Sequence, residues 1–179
     1  MYSRFIRYAS QACRMAGAIA LLALLGACSK PAVEESVPEL TLTGLDGTRT
    51  SLQAFRGKLL VLNVWATWCP PCRREMPSLE RLSKSVDGSR IVVAGISVDS
   101  DANAVLEFLR QNGVTFRNFR DTPGNIANTL GVQVYPETLL IAPDGKIAHR
   151  ITGERDWSSP AMLRVLEDAF RGRRSEPDS

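Results

Sequence analysis

The sequence predicts an α/β domain in which a mixed central β-sheet is flanked by helices. Two continuous apolar runs, at 59–65 and 91–98, are typical of strands that are covered on both faces. Segments with helical spacing of apolar residues alternate with these strands, which implies crossover connections. A hairpin pattern near the C-terminal end adds antiparallel strands. The predicted order is βαβ–αβα–ββα, without internal repeats, in a length that suits one domain with a full core.

The first half begins with a short hairpin. Leu40 and Leu42 on one side, and Ser51-Leu52 on the other, flank an Asp46-Gly47 pair, which is a typical turn sequence. The buried strand at 59–65 leads directly into a helix, which the pair Asp87-Gly88 ends. Helical spacing of four apolar residues supports that helix: Met76, Leu79, Leu82 and Val86.

The second half alternates in the same way. The strand at 91–98 precedes a helix at 102–112, which Asn112-Gly113 stops. The remaining predicted elements are a strand at 116–119, a helix at 125–130, a hairpin of 138–141 and 146–151 around 143–145, and a closing helix at 160–171.

The N-terminus has the pattern of a signal peptide. An arginine-containing segment precedes an apolar run at 16–25, which is too short to span a bilayer comfortably. The following Leu25-Gly26-Ala27-Cys28 resembles the bacterial lipoprotein processing box. That resemblance implies cleavage before Cys28 and lipidation of its thiol. The alternative is an ordinary secreted protein whose leader happens to contain a cysteine.

Four segments are therefore expected along the chain. Residues 1–27 are the lipoprotein signal peptide, and 28–38 form a lipidated polar tether with two prolines. The folded domain covers 39–171, and 172–179 form a polar C-terminal tail.

The net charge of +3 belongs to the leader. The leader contains Arg4, Arg7 and Arg14 and no acidic residue, so its removal leaves 19 basic against 19 acidic residues. This balance gives no support for nucleic-acid binding.

Two cysteines remain inside the predicted domain. Cys69 and Cys72 lie two residues apart, directly after a strand and at the start of a helix. Unpaired N–H groups and the helix dipole favour a thiolate there, and a thiolate is the nucleophile of disulfide exchange. A structural disulfide or half a zinc site are the alternatives. A structural zinc needs four ligands, and the single histidine, His149, lies far along the chain.

Prolines occupy both positions between the cysteines. Pro70 and Pro71 have no N–H, so any backbone donor to the Cys69 sulfur must come from Cys72 or beyond.

These features resemble the thioredoxin superfamily, specifically its TlpA-like (ResA-like) extracytoplasmic thiol–disulfide oxidoreductases. The resemblance covers roughly 36–171, and 100–120 fits the helix–strand insertion of this branch. The motifs that carry it are Trp65-Ala66-Thr67-Trp68-Cys69-Pro70-Pro71-Cys72, Glu75-Met76-Pro77 and Tyr135-Pro136-Glu137-Thr138. It implies a thioredoxin-like fold, a redox-active pair and no cofactor or metal.

The resemblance also implies roles for single residues. Cys69 is expected to attack a substrate disulfide, and Cys72 to resolve the mixed disulfide. Pro136 is expected to follow a cis peptide bond that exposes the backbone of Tyr135 to an extended substrate. Trp68 is expected to form part of the docking surface. In the family, the residues between the cysteines tune the reduction potential.

Two glutamates have open interpretations. Plain thioredoxin carries a proton-transferring aspartate where this chain has Asn63, and ResA-like members carry a glutamate at the place of Glu75. Glu75, three residues after Cys72, is expected to accept a proton near the thiols. It is otherwise a surface glutamate. Glu137 is expected to contact substrate or to raise a thiol pKa, and is otherwise a solvated edge residue.

The sequence thus predicts a lipid-anchored thiol–disulfide oxidoreductase of the bacterial cell envelope, acting as a reductant of protein disulfides. A membrane electron donor of the DsbD/CcdA type is implied by the resemblance. A dedicated role in cytochrome c maturation is an alternative, motivated by Pro136-Glu137-Thr138.

Two further alternatives have weaker support. A Sco-like copper chaperone would have a wider cysteine spacing and a partnering histidine. In a peroxiredoxin, a threonine normally stands three residues before the reactive cysteine, and this chain has Ala66 there.

Overall fold

The computed structural model describes residues 36–121 and 125–173. The predicted signal peptide, Cys28, most of the tether and the end of the tail lie outside the described residues. The packed domain begins three residues earlier than the predicted boundary at 39. Ser36 bridges to Lys146, and the buried Val37 donates its N–H to the Gly145 carbonyl at 3.1 Å.

Within the described residues, seven strands form one mixed sheet, in the order β2-β1-β5-β4-β3-β6-β7. The β3/β4 and β4/β5 pairs are parallel, and the other neighbours are antiparallel. The strands are β1 (Thr41–Gly44), β2 (Arg49–Ser51), β3 (Leu59–Trp65), β4 (Ile91–Ser97), β5 (Arg117–Arg120), β6 (Glu137–Ile141) and β7 (Ile147–Thr152).

The helices confirm the predicted alternation of elements. They are α1 (Pro70–Ser85), α2 (Ala102–Gln111), α3 (Asn125–Thr129) and α4 (Pro160–Phe170), with a short 3-10 helix at Leu52–Phe55. The predicted insertion is present as α2 and β5. Leu52 differs from the prediction, because it leaves the hairpin and enters the 3-10 helix. The Ser51 hydroxyl accepts the Gln53 N–H at 3.2 Å, which turns the chain at that point.

The central strand β3 separates two apolar layers. All seven of its residues are buried, as the continuous apolar run predicts. Leu59, Val61 and Trp65 belong to the layer that contains both cysteines, which we call the cysteine layer. Leu60, Leu62 and Val64 belong to the other layer, which we call the opposite layer. The strand therefore ends at Trp65 inside the core, and the next residues carry the chain to the first turn of α1.

None of the described helices is both long enough and apolar enough to cross a membrane.

Candidate active site

Cys69 is the N-cap residue of α1. Its backbone is extended (φ −93°, ψ 107°), and Pro70 follows at the first helical position, where the fixed φ of proline suits a helix. The Cys69 sulfur accepts the Cys72 N–H at 3.3 Å. The prediction that the first available donor is Cys72 is therefore confirmed. This N–H and the helix terminus both favour negative charge on the Cys69 sulfur.

Cys69 and Cys72 form a disulfide, whose Cα atoms are 5.3 Å apart. Cys69 is 5% exposed and Cys72 is fully buried. Both lie in the cysteine layer, where Met76 packs one helical turn beyond Cys72. Cys69 is therefore the more accessible of the two residues, and Cys72 is shielded from solvent.

Glu75 lies three residues after Cys72 on the same helix and is buried. It is 2% exposed, so the interpretation as a surface glutamate is wrong. One carboxylate oxygen accepts from Asn63 Nδ2 at 2.8 Å, and the other from Trp157 Nε1 at 3.0 Å and from the Arg155 N–H at 3.3 Å. Burial raises the pKa of Glu75 to about 7, although these donors oppose that rise.

Asn63 connects the cysteine helix with strand β6. Its Nδ2 donates to Glu75 and also to Thr138 Oγ1 at 2.9 Å, and Asn63 pairs with Thr138 across β3 and β6. The acid missing at this position of the strand is thus replaced by an amide, and the carboxyl group comes from α1 instead.

The Tyr135–Pro136 peptide bond is cis, as predicted. Strand β6 begins one residue later, and its Glu137 pairs with Val64 near the end of β3. The Trp68 ring meets the Tyr135 ring edge-on, with centroids 5.9 Å apart. Trp68 is 64% exposed, and Val134 is 57% exposed. The exposed Trp68, directly before Cys69 in the chain, and the half-buried Tyr135 therefore form an apolar surface, and the exposed Val134 precedes Tyr135.

Glu137 is buried and ion-paired. Its carboxylate accepts from Arg150 Nη1 at 3.0 Å, so it is not a solvated edge residue. Arg150 Nη2 also donates to the Leu130 carbonyl at 2.8 Å. Arg150 thus holds both ends of the loop that contains Tyr135 and Pro136.

Asp99 is a site residue that the sequence analysis missed. This buried carboxylate accepts from the Thr67 N–H at 2.9 Å, the Thr67 hydroxyl at 2.6 Å and the Ser97 hydroxyl at 2.7 Å. It therefore fixes the segment that leads to Trp68 and Cys69. Its position after β4 was a usable signal, because the carboxyl ends of parallel strands meet at one edge of the sheet.

Trp157 and Arg155 were missed as well. They belong to the segment between β7 and α4, and they reach Glu75 from a sequence distance of about 80 residues. No local pattern in the sequence signals such a contact.

No group of three or more His, Cys, Asp or Glu side chains in the described residues could hold a metal ion. His149 lies in β7 and pairs with Leu140 of β6.

The domain has a mixed sheet flanked by helices, a Cys-Pro-Pro-Cys pair at the first turn of a helix and a cis proline before β6. These features define a thiol–disulfide oxidoreductase with a thioredoxin-like fold. The chain belongs to the Redoxin family, whose model matches residues 32–166. Within this family, the predicted similarity to the ResA-like enzymes is confirmed by a ResA relative that is 33% identical.

Named relatives support this class. The thiol-disulfide oxidoreductase ResA of Bacillus thuringiensis is 33% identical over 126 residues, which cover 70% of this chain and 73% of the relative. A Chlorobium tepidum crystal structure with the provisional name thiol:disulfide interchange protein DsbE has a TM-score of 0.70 at 25% identity, and covers 76% of this chain and 96% of its own. A DsbF homologue from Corynebacterium diphtheriae has a TM-score of 0.68 at 28% identity, with coverage of 78% and 89%.

Proposed function

We propose that this protein is a membrane-tethered thiol–disulfide oxidoreductase of the bacterial cell envelope that reduces disulfides in other proteins. The observation that carries the proposal is the order of groups along α1. An N-capping sulfur on Cys69 comes first, the buried sulfur of Cys72 comes second, and the buried carboxyl group of Glu75 follows within one turn.

The reaction begins with the reduced pair. The Cys69 thiolate attacks one sulfur of a substrate disulfide, forms a mixed disulfide and releases the other substrate sulfur as a thiolate. Cys72, as its thiolate, then attacks the Cys69 sulfur and releases the second substrate thiolate. The substrate gains two electrons, and the enzyme is left with the Cys69–Cys72 disulfide.

Glu75 is the proton acceptor in this scheme. Cys72 must lose its proton before it can attack, and its surroundings are apolar. A carboxyl group with a pKa of about 7 exchanges protons readily near neutral pH. The proton moves from the Cys72 thiol to the Glu75 carboxylate and later to solvent.

The apolar surface of Trp68, Val134 and Tyr135 supports a protein substrate. An extended segment can lie against the backbone at Tyr135 while its disulfide meets Cys69. Glu137 frames this loop through Arg150, so its contribution to substrate docking acts through the loop's shape.

The envelope location rests on the N-terminal pattern. Cleavage before Cys28 and lipidation there would leave a short tether before the domain, and several acyl chains hold a protein firmly on a membrane. A membrane dithiol donor of the DsbD/CcdA type would then reduce the Cys69–Cys72 disulfide again. A Cys28→Ser variant that remains in the membrane fraction would contradict the anchoring.

Cytochrome c maturation is a second candidate role. Pro136-Glu137-Thr138 motivates it, because members that serve this pathway carry a similar segment. A strain that lacks the gene should then lose its c-type cytochromes. Normal cytochrome content in that strain would remove this role and leave the exchange chemistry untouched.

Trapping in the native host tests the main proposal. The Cys72→Ser variant should accumulate mixed disulfides with envelope proteins, because attack by Cys69 persists while resolution fails. The matched Cys69→Ser variant should trap none. If Cys72→Ser releases its partners as readily as the unchanged protein, the assigned roles of the two cysteines are wrong.

A further inference from the structure

The Asn63 carbonyl oxygen is an unusual group in the cysteine layer. Asn63 is fully buried on a strand whose neighbouring positions on the same face are Val61 and Trp65. Its Oδ1 atom has no hydrogen-bond partner among the described residues. An orphaned buried carbonyl costs free energy, and such groups in native proteins call for an explanation.

The other end of the same amide is fully used. One N–H of Asn63 points to the Glu75 carboxylate at 2.8 Å, and the other to Thr138 Oγ1 at 2.9 Å. The opposite oxygen of Glu75 faces two more donors, from Trp157 and Arg155. Glu75 is therefore surrounded only by donors, which is an arrangement for an ionised carboxylate.

This arrangement of donors does not suit Glu75 once it is protonated. A carboxylic acid has an O–H to donate, but all the groups that contact Glu75 are themselves donors. A half-turn of the Asn63 amide would bring Oδ1 to the place of Nδ2. Oδ1 could then accept the Glu75 O–H and the Thr138 O–H together, since a hydroxyl both donates and accepts.

We propose that the Asn63 side-chain amide turns over when Glu75 takes up a proton, so that Nδ2 faces the carboxylate and Oδ1 faces the carboxylic acid. Asn63 is then a positioning residue that offers a donor to the carboxylate and an acceptor to the carboxylic acid, and that connects Glu75 with strand β6 through Thr138. The inference rests on the proton-acceptor role proposed for Glu75 and deepens it.

Other charged groups near Glu75 can change its titration independently of Asn63. The nearby Glu154 carboxylate raises the pKa of Glu75, and Glu154 is itself ion-paired with Arg74 at 2.7 Å. Arg155 and Asp156 lie on the same segment, but the Arg155 contact with Glu75 is through its backbone N–H. In the oxidised protein the two cysteines are joined and do not titrate.

The test is nuclear magnetic resonance on the oxidised full-length chain at about pH 5 and about pH 9, on either side of the expected Glu75 midpoint. The carboxyl carbon of Glu75 reports its protonation, and the NOE between the Asn63 amide protons and the Thr138 methyl group reports the amide orientation. We expect a strong NOE at high pH and a several-fold weaker one at low pH, with the same midpoint as Glu75. A Glu75→Gln variant should show no such pH dependence.

Asn118 is the matched internal control. It is also a buried asparagine of the sheet, but both ends of its amide are bonded, to Trp65 Nε1 at 2.9 Å and to the Phe116 carbonyl at 3.0 Å. Its amide contacts should be the same at both pH values. If Glu75 titrates while the Asn63 NOE stays constant, the amide does not turn, and only the proton-acceptor role survives. If Glu75 does not titrate in this range, both fail.

A functional variant adds an independent measurement. Asn63→Leu removes the amide's hydrogen bond to both forms of Glu75. Because the bond to the charged form is the stronger of the two, the pH midpoint of disulfide exchange should rise by up to about one pH unit. A Thr138→Ser variant keeps the hydroxyl and should keep the midpoint of the unchanged protein. An unchanged midpoint in Asn63→Leu would overturn the positioning role.

Discussion

Glu75 and Glu80 lie on the same helix and are both buried, but their carboxyl groups behave differently. Burial raises the pKa of Glu75 to about 7, and the neutral N–H groups that donate to it offset this rise only in part. For Glu80, burial also acts to raise the pKa, but hydrogen bonds from Lys84 and Thr115 outweigh it and hold the pKa below its usual value. The Lys84 ammonium lies 2.8 Å from the Glu80 carboxylate. The Lys84 ammonium thus keeps Glu80 ionised in a structural contact. Glu75 has only neutral donors, and its carboxyl group is therefore the one suited to proton transfer.

The raised pKa of Glu75 predicts a pH-dependent stability. Glu75 releases its proton near pH 4.5 in the unfolded chain but near pH 7 in the folded one. Between these values the folded state binds more protons, so the free energy of unfolding falls as the pH rises. The contribution is fully present below the unfolded value and fully lost above the folded one. Its size is about 3 kcal/mol.

Urea unfolding of the oxidised protein across this range measures the effect, with Glu75→Gln as the comparison. The variant should lose most of the decline between pH 4.5 and 7. The exposed Asp87 and Glu107 and the half-buried Glu167 have a lowered pKa, so they change stability below this range and do not interfere. Equal pH dependence in both proteins would show that Glu75 is not the responsible group.

At the scale of elements, the contact between two loops positions the reactive turn. Asp99, after β4, binds both the N–H and the hydroxyl of Thr67, after β3. Asp46 makes the same two contacts to Thr48, at 2.9 and 2.7 Å, but in the exposed turn of the first hairpin. Both aspartates therefore bind the N–H and the hydroxyl of one threonine. Asp99 does so with both carboxylate oxygens in a buried contact between two loops, whereas Asp46 uses a single oxygen in an exposed local turn.

Asp99→Asn should lower the free energy of unfolding by about 1–3 kcal/mol, because an amide N–H would face a donor in a buried place. It should also slow disulfide exchange by the folded protein, since Thr67 leads directly to Trp68 and Cys69. Asp46→Asn should have little effect on either quantity. Urea unfolding and exchange rates with a protein disulfide measure both. Similar losses in the two variants would contradict a special role for the buried contact.

The elements were predictable from the sequence to the extent that their signals are local. The continuous apolar run gave β3 its observed bounds, and the positions of the prolines identified Cys72 as the donor to Cys69. The cis bond before Pro136 followed only from the resemblance, because a proline in a sequence does not reveal its isomer. The surroundings of Glu75 were not predictable, since Trp157 and Asn63 reach it through tertiary packing.

In the folded domain as a whole, the reactive cysteines lie in one of the two apolar layers, and much of the packing lies in the other. The cysteine layer lies on one face of the sheet with α1, and contains Cys69, Cys72 and Met76. Among the described residues, the opposite layer holds no cysteine and contains Leu62 and Phe119. Strand β3 contributes to both layers, so a cavity in either layer should lower the stability of the fold. Only the cysteine layer contacts the reacting sulfurs.

A pair of substitutions tests this separation. Met76 and Leu62 are both fully buried, and Met76→Ala and Leu62→Ala should each lower the free energy of unfolding by about 2–5 kcal/mol. Met76 packs one turn from Cys72, so its loss should also change the rate at which the folded protein exchanges disulfides. Leu62→Ala should leave that rate unchanged under conditions where both variants are folded, as circular dichroism can verify. An equal change of rate in Leu62→Ala would mean that the reactive turn depends on packing throughout the sheet, and not on the cysteine layer alone.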